Sequence, residues 1–219
     1  MVDKSQYTKL DNGSYKSNAF GSPEDIYTDN YWSHDKGHST IDEQIANVVE
    51  KNELVKVFIT DIEPKAVLEI ACAPGILLKQ LSEKFVTFGI EVDNSYKSDL
   101  ERISPTSWFL FGFFPKVTED IIEGLFSNII ALDVIEHVED GNAFLKECNR
   151  LLVKDGRLII QAPMTLYDGV EPDAMFHVQE HIWIYHIKHL TELLEQNGFY
   201  VIEFTRWKVG HEQVVAVKK

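Results

Sequence analysis

A short apolar run that breaks into small residues and then resumes as a helix constrains this chain more than any other feature. Residues 67–75 read Val-Leu-Glu-Ile-Ala-Cys-Ala-Pro-Gly. Val67, Leu68 and Ile70 suit a buried strand, and a helix-like run follows from Ile76 through Phe85. Where a strand enters a helix through small residues, the backbone N–H groups of the bend can approach a ligand closely. The next apolar run, Phe88-Gly89-Ile90, ends on Glu91, at 91 − 69 = 22 residues beyond Glu69. An acid at that separation, closing the second strand, is placed to accept hydrogen bonds from the two hydroxyls of a ribose. The segment therefore reads as a nucleoside-binding βαβ unit.

The turn also says which nucleoside it is not built for. A dinucleotide fingerprint wants glycine at the first, third and sixth positions of the turn. Those positions hold Ala71, Ala73 and Ile76, and the glycine that is present, Gly75, is the fifth. This argues against an NAD-dependent oxidoreductase. Alanine is disfavoured at positive φ, so φ is expected to stay negative at Ala71 and Ala73, or the ligand to stand slightly farther out.

A chain of 219 residues with 44% hydrophobic content suits one domain with a proper core. Residues 1–38 are polar and read as an arm or lid, with a single domain over 39–219. The net charge of −14 repels phosphate backbones, so no nucleic-acid partner is expected. No membrane association is expected either: no basic helix, signal peptide or spanning run is visible. Cys72 and Cys148 have no metal spacing and read as reduced, buried small residues in a cytoplasmic protein. Thr40-Ile41-Asp42-Glu43 is a capping box opening a helix. Strand candidates follow at 66–71, 87–91, 107–111, 128–132 and 157–162, alternating with helical stripes, which points to a parallel sheet with helices on both faces. Residues 163–181 read as a long functional loop. A helix with Ile187, Leu190 and Leu194 on one face stops at Gly198. Two last strands, 200–207 and 213–217, form an antiparallel hairpin that finishes the sheet.

The small residues at the first, third and fifth turn positions resemble motif I of the class I S-adenosylmethionine-dependent methyltransferases, with two of its glycines replaced by alanine. Residues 130–138, Ile-Ala-Leu-Asp-Val-Ile-Glu-His-Val, resemble the fourth-strand motif of that superfamily's small-molecule branch, which carries an Asp-x-x-Glu-His core. Residues 142–158 and the Asn197-Gly198-Phe199 turn continue the likeness, so it covers about 40–219. Within the branch the pattern looks most like the ubiquinone-type and sugar or natural-product O-methyltransferases. The resemblance implies a Rossmann-like α/β fold, a mainly parallel seven-stranded sheet whose last strand is antiparallel.

It also implies roles. Ala71, Cys72, Ala73 and Gly75 would approach the methionine part of S-adenosylmethionine, with Glu69 orienting it. Glu91 and the adjoining Val92 would hold the ribose, with Asp93 as an alternative ligand. The family's usual adenine-binding acid is absent, which leaves backbone groups and Phe113. Leu132 and Asp133 would lie beside the cofactor where the fourth strand ends. Two readings compete there: Asp133, Glu136 and His137 could hold Mg²⁺ against acceptor hydroxyls, or His137 could act as a general base. His181 is a second base candidate. Tyr27, Tyr31, Trp32, His34 and His38 from the arm, with His177, His181, Trp183, Tyr185 and His186 from a 163–186 loop, would wall a pocket for a small-molecule acceptor. Hydroxyl methylation is favoured over nitrogen. A non-catalytic cofactor-binding protein is the rival to an enzyme, and the oligomeric state is left open, a homodimer included.

Overall fold

The structure is a computed structural model that describes residues 6–18, 52–166, 181–208 and 211–219. Helical residues 52–56 bury Val55, while the capping box at 40–43 lies outside the described residues. In chain order the strands are β1 (Tyr7–Lys9), β2 (Tyr15–Ser17), β3 (Ala66–Ile70), β4 (Val86–Glu91), β5 (Trp108–Phe111), β6 (Phe126–Leu132), β7 (Leu152–Thr165), β8 (Trp183–His186), β9 (Phe199–Lys208) and β10 (His211–Lys218). The helices are α1 (Ile76–Leu81), α2 (Lys97–Ile103), α3 (Gly141–Leu151) and α4 (Ile187–Gln196).

The main sheet runs β5-β4-β3-β6-β7-β10-β9. The five strands from β5 to β7 are parallel, and β10 is antiparallel to both of its neighbours. This is the expected seven-stranded arrangement. Alternate residues of each central strand go to opposite faces. Leu68, Ile129, Leu158 and Val214 join Phe144, Leu145 and Cys148 of α3 and Leu190 and Leu194 of α4 in one core. Val67, Ile130, Ile159 and Val215 pack on the other side with Val55 and with Leu77 and Leu81 of α1. Burial on both faces explains why these strands read as mainly apolar runs and not as alternating ones. No helix among the described residues is long and apolar enough to cross a membrane.

Two local expectations change. The sequence keeps residues 1–38 off the core, but within the described part β1 pairs with β2 and β2 with β8, and Tyr15 is buried against Ile184. The sequence also reads 163–186 as loop. Instead β7 continues to Thr165, and β8 joins its end in parallel through Met164 opposite Tyr185 and Thr165 opposite His186.

The loop between β5 and β6 is fastened to α3 by one arginine. Arg150 donates to the carbonyls of Ile121 at 2.7 Å and Thr118 at 3.1 Å, and to both oxygens of Glu147 at 2.8 and 2.6 Å. Burial alone would raise the Glu147 carboxyl, but bonds from Arg150 and Thr118 hold it below its ordinary value. The stabilisation is therefore present above the usual carboxylate range and fades as pH falls through that lowered value. Arg150→Met is expected to cost about 2–3 kcal/mol in chemical denaturation, since it strips charged bonds from two half-buried carbonyls and a carboxylate. A loss below about 0.5 kcal/mol would show the clamp to be idle.

Candidate active site

β3 pairs with β4 on one side and β6 on the other, so the direction of chain order reverses at its carboxyl end. Open α/β sheets bind ligands at such a switch point. The bend 71–75 lies there, next to the ends of β4 and β6. Ala71 is exposed and takes φ +58°, contrary to the negative φ expected from its side chain. A left-handed alanine costs about 1–2 kcal/mol. The sharp exit from β3 lets the Cys72 N–H donate to the Ile90 carbonyl at 3.1 Å and the Gly75 N–H to the Cys72 carbonyl at 2.6 Å. Gly75 is at φ +86°, and a Cβ there would lie 2.9 Å from Leu100 Cδ2. Cys72 turns inward among Leu78, Tyr96 and Leu100. Burial pushes its thiol well up, and the carboxylates of Glu69 and Glu91 add to this. It stays a thiol at neutral pH and offers a ligand its backbone.

Glu91 is 3% exposed and is built into the bend. Its Oε1 accepts from the N–H groups of Val92 at 2.8 Å and Asp93 at 3.1 Å, and its Oε2 accepts from the Ala73 N–H at 3.1 Å. Burial raises its pKa, those three donors oppose the rise, and the charge of Asp93 adds to it. Asp93 is itself buried, and its Oδ1 accepts from the Ser95 N–H at 2.8 Å, capping a 3-10 turn. Glu69 is buried within β3, level with Gly89 and Ile130. Val92 and Phe113 are half-buried. The Gly112 N–H donates to the Glu91 carbonyl at 2.9 Å, which draws the start of the Phe113 loop to the end of β4. Leu132 closes β6, and Asp133 follows at φ +55° with its N–H on the Gln161 carbonyl at 2.8 Å. The residues expected to grip a nucleoside thus gather around the ends of three adjacent strands and the loop after β5.

Just beyond Asp133, the 3-10 turn Ile135–His137 carries Glu136, which is wholly buried, and His137. His181, also buried, comes in ahead of β8. One donor atom from each of these three lies within 4.8 Å of the others. His137 Nε2 is 3.9 Å from Glu136 Oε1, and the two imidazole rings meet edge to face at 4.9 Å. Among the described residues Asp133 is not a member of this group; His181 stands where the sequence suggested Asp133. Two imidazoles and one carboxylate are not the oxygen-rich set that Mg²⁺ takes, so the residues do not fit the Mg²⁺ site expected from sequence.

The expected acceptor walls are only partly visible. Tyr27, Tyr31, Trp32, His34, His38 and His177 lie outside the described residues. Trp183 is half-buried, but Tyr185 and His186 are buried strand residues rather than loop walls. Burial pushes the Tyr185 phenol up, with the carboxylates of Glu136 and Asp140 adding to the effect. Sequence reasoning missed Ser14. Its Oγ accepts from the His186 N–H at 2.9 Å and lies 2.7 Å from His189 Nδ1, tying the β1–β2 hairpin to α4. The two residues are 175 positions apart, and no local pattern pairs them.

A parallel α/β sheet, a ligand bend at its switch point and an acid closing the second strand define a nucleoside-binding domain of the Rossmann-like kind. The chain belongs to the methyltransferase domain family, whose sequence pattern it matches over residues 41–204, and it is an S-adenosylmethionine-dependent methyltransferase. Its fold is similar to the methyltransferase of a Haloferax volcanii complex with the Trm112 activator (13% identity, 88% of this chain and 99% of that one, TM-score 0.69). It is similar also to an S-adenosylmethionine-dependent methyltransferase of Mesorhizobium loti (7% identity, 78% and 99% covered, TM-score 0.64). The [4+2]-cyclase SpnF shares the fold as well (13% identity, 77% and 80% covered, TM-score 0.62). No curated protein matches the sequence.

Proposed function

We propose that this enzyme transfers the methyl group of S-adenosylmethionine to a hydroxyl of a small molecule. The observation that carries the cofactor part is the Glu91 carboxylate bonded to the Ala73 N–H, which puts the acid and the bend in one site. Ala71, Ala73 and Gly75 would face the methionine portion with backbone groups, Cys72 contributing its main chain and Glu69 supporting from β3. Glu91 would accept from the ribose hydroxyls, beside Val92, and Phe113 would cover the adenine. Leu132 and Asp133 would border the reacting end. When bound, the cofactor supplies a methyl group on a sulfonium, already a good leaving group.

The chain's own task is then to hold the acceptor in line with that methyl and to take charge of its proton. The group of Glu136, His137 and His181, at the next strand end, supports a hydroxyl acceptor over a nitrogen one, because an unprotonated nitrogen needs positioning alone. The buried free thiols Cys72 and Cys148 accord with a cytoplasmic location, and the acidic surface with a small-molecule acceptor in place of nucleic acid.

Calorimetry tests the first part: S-adenosylmethionine is expected to bind at micromolar concentration, with no binding of NAD. The reverse order would sink the assignment. A panel of hydroxyl and amine acceptors, read by mass spectrometry for methylated product, tests the second. It is needed because a cyclase shares this fold, and fold alone does not set chemistry.

A further inference from the structure

We infer that Glu136, His137 and His181 form a binding site for a divalent transition cation of the Zn²⁺ or Co²⁺ kind, just beyond the carboxyl end of β6. The inference draws its purpose, though not its test, from the methyl-transfer reading above.

Three features of the group favour a cation. The first is the donor set. One carboxylate and two imidazoles suit borderline cations, whereas Mg²⁺ and Ca²⁺ want oxygen. The second is geometry. The donor atoms lie within 4.8 Å of one another, whereas ligands about 2.1 Å from a shared tetrahedral metal stand about 3.4 Å apart. His137 and Glu136 are neighbours on one turn, and the His181 ring meets that of His137 edge to face, so the proposed site requires the three donors to draw closer by about 1.4 Å. The third is charge. Glu136 is wholly buried, and a cation bound beside its carboxylate would be attracted through a medium that screens less than water.

The position says what such a site would do. Three protein ligands leave coordination positions open, the arrangement of catalytic rather than structural sites. His137 keeps 20% of its side chain accessible, so the open side of the group is on its flank. The turn that carries it starts two residues after Asp133, at the strand end bordering the cofactor site. An acceptor with an ionisable hydroxyl can offer its oxygen there, which makes the hydroxyl proton easier to lose. The proton passes to water. A C–O bond forms as the C–S bond breaks, and the cofactor leaves as the neutral thioether. The two histidines then act as ligands, not as free bases.

The test uses the full chain, stripped with a chelator and titrated with Zn²⁺, Co²⁺ or Mg²⁺ alone. One equivalent of Zn²⁺ or Co²⁺ is expected to bind at micromolar concentration or below, with Mg²⁺ weaker by about 100-fold or more. Bound Co²⁺ should show the visible absorption of a site with nitrogen ligands. His181→Ala and Glu136→Gln are each expected to weaken Zn²⁺ by about 100-fold, while Lys84→Ala, ahead of the amino end of β4 and so at the other end of the parallel strands, leaves it unchanged. Glu136→Gln is nearly isosteric and serves if His181→Ala does not fold. S-adenosylmethionine titrations of the same variants should match the wild type, which verifies folding and keeps the two proposals separable. No cation bound by the wild type below about 1 mM, equal affinity in all variants, or preference for Mg²⁺ would each overturn the site while leaving the methyl-transfer reading standing.

Discussion

Glu91→Ala is expected to weaken S-adenosylmethionine binding by about 100-fold or more while leaving the protein folded. The carboxylate is proposed to accept from the ribose, and it already accepts from the N–H groups of Ala73, Val92 and Asp93. Charged hydrogen bonds contribute about 1.5–3 kcal/mol each, and two lost together correspond to about two to four orders of magnitude in affinity. The fold is spared for a reason that follows from linkage. Burial raises the Glu91 pKa in the folded protein. Its stabilising contribution is therefore full below the ordinary pKa of 4.5 and is lost as pH rises through the raised value. At neutral pH the ionised group is a cost to the empty protein. Cofactor affinity should accordingly begin to fall on acidification above the pH at which an ordinary glutamate would protonate. Calorimetry across pH reads both effects. Binding by Glu91→Ala within about fivefold of the wild type would remove Glu91 from the site.

Gly89→Ala should be the most damaging single-methyl addition in the nucleoside site, and Cys72→Ala should relieve much of the damage. A Cβ on Gly89 would lie 2.5 Å from Cys72 Sγ and 2.9 Å from both Leu78 Cδ1 and Phe109 Cδ1. Overpacking of this kind costs about 1–3 kcal/mol, and here it pushes on the residue that anchors the bend to the Ile90 carbonyl. The substitution should therefore lower cofactor affinity as well as stability. Removing the sulfur takes away the worst of the three clashes and leaves two, so the double variant should recover about 1 kcal/mol relative to the sum of the singles. Denaturant melts of the four proteins give the coupling directly. Additive effects would mean that the turn accommodates the methyl elsewhere, and that Cys72 does not fix its position.

The parts of the fold that were legible in sequence are those whose period is long enough to register. Ile129 through Ala131 and Leu158 through Ile160 are buried on both faces, so each reads as a continuous apolar run, and α3 and α4 carry plain helical stripes. The strand β8 has four residues, Trp-Ile-Tyr-His, and passes straight into α4, whose first turn His186 caps through its Nδ1. A run that short has no period to read. The hairpin of β1 and β2 becomes core by pairing with β8, so missing one strand meant missing all three.

The candidate site divides in the same way. That Glu91 and the bend meet is legible in sequence because a local spacing brings them together. His181 joins Glu136 and His137 only through tertiary contact, and Asp133 was preferred because it was near in sequence. Ala71 was misjudged because residue identity gives a preference for φ, while the exit from β3 to the Ile90 carbonyl imposes one.

The position of β10, one strand in from the edge of the main sheet, bears on how this protein is made. It lies between β7 and β9 and buries Val214, Val215 and Ala216 almost completely, yet it is translated after both. Until it emerges from the ribosome, a nascent chain holds an open gap in its largest hydrophobic layer, with the flanks of β7 and β9 unpaired. Such gaps invite aggregation, so synthesis in the cell should engage a chaperone up to the moment this strand is released.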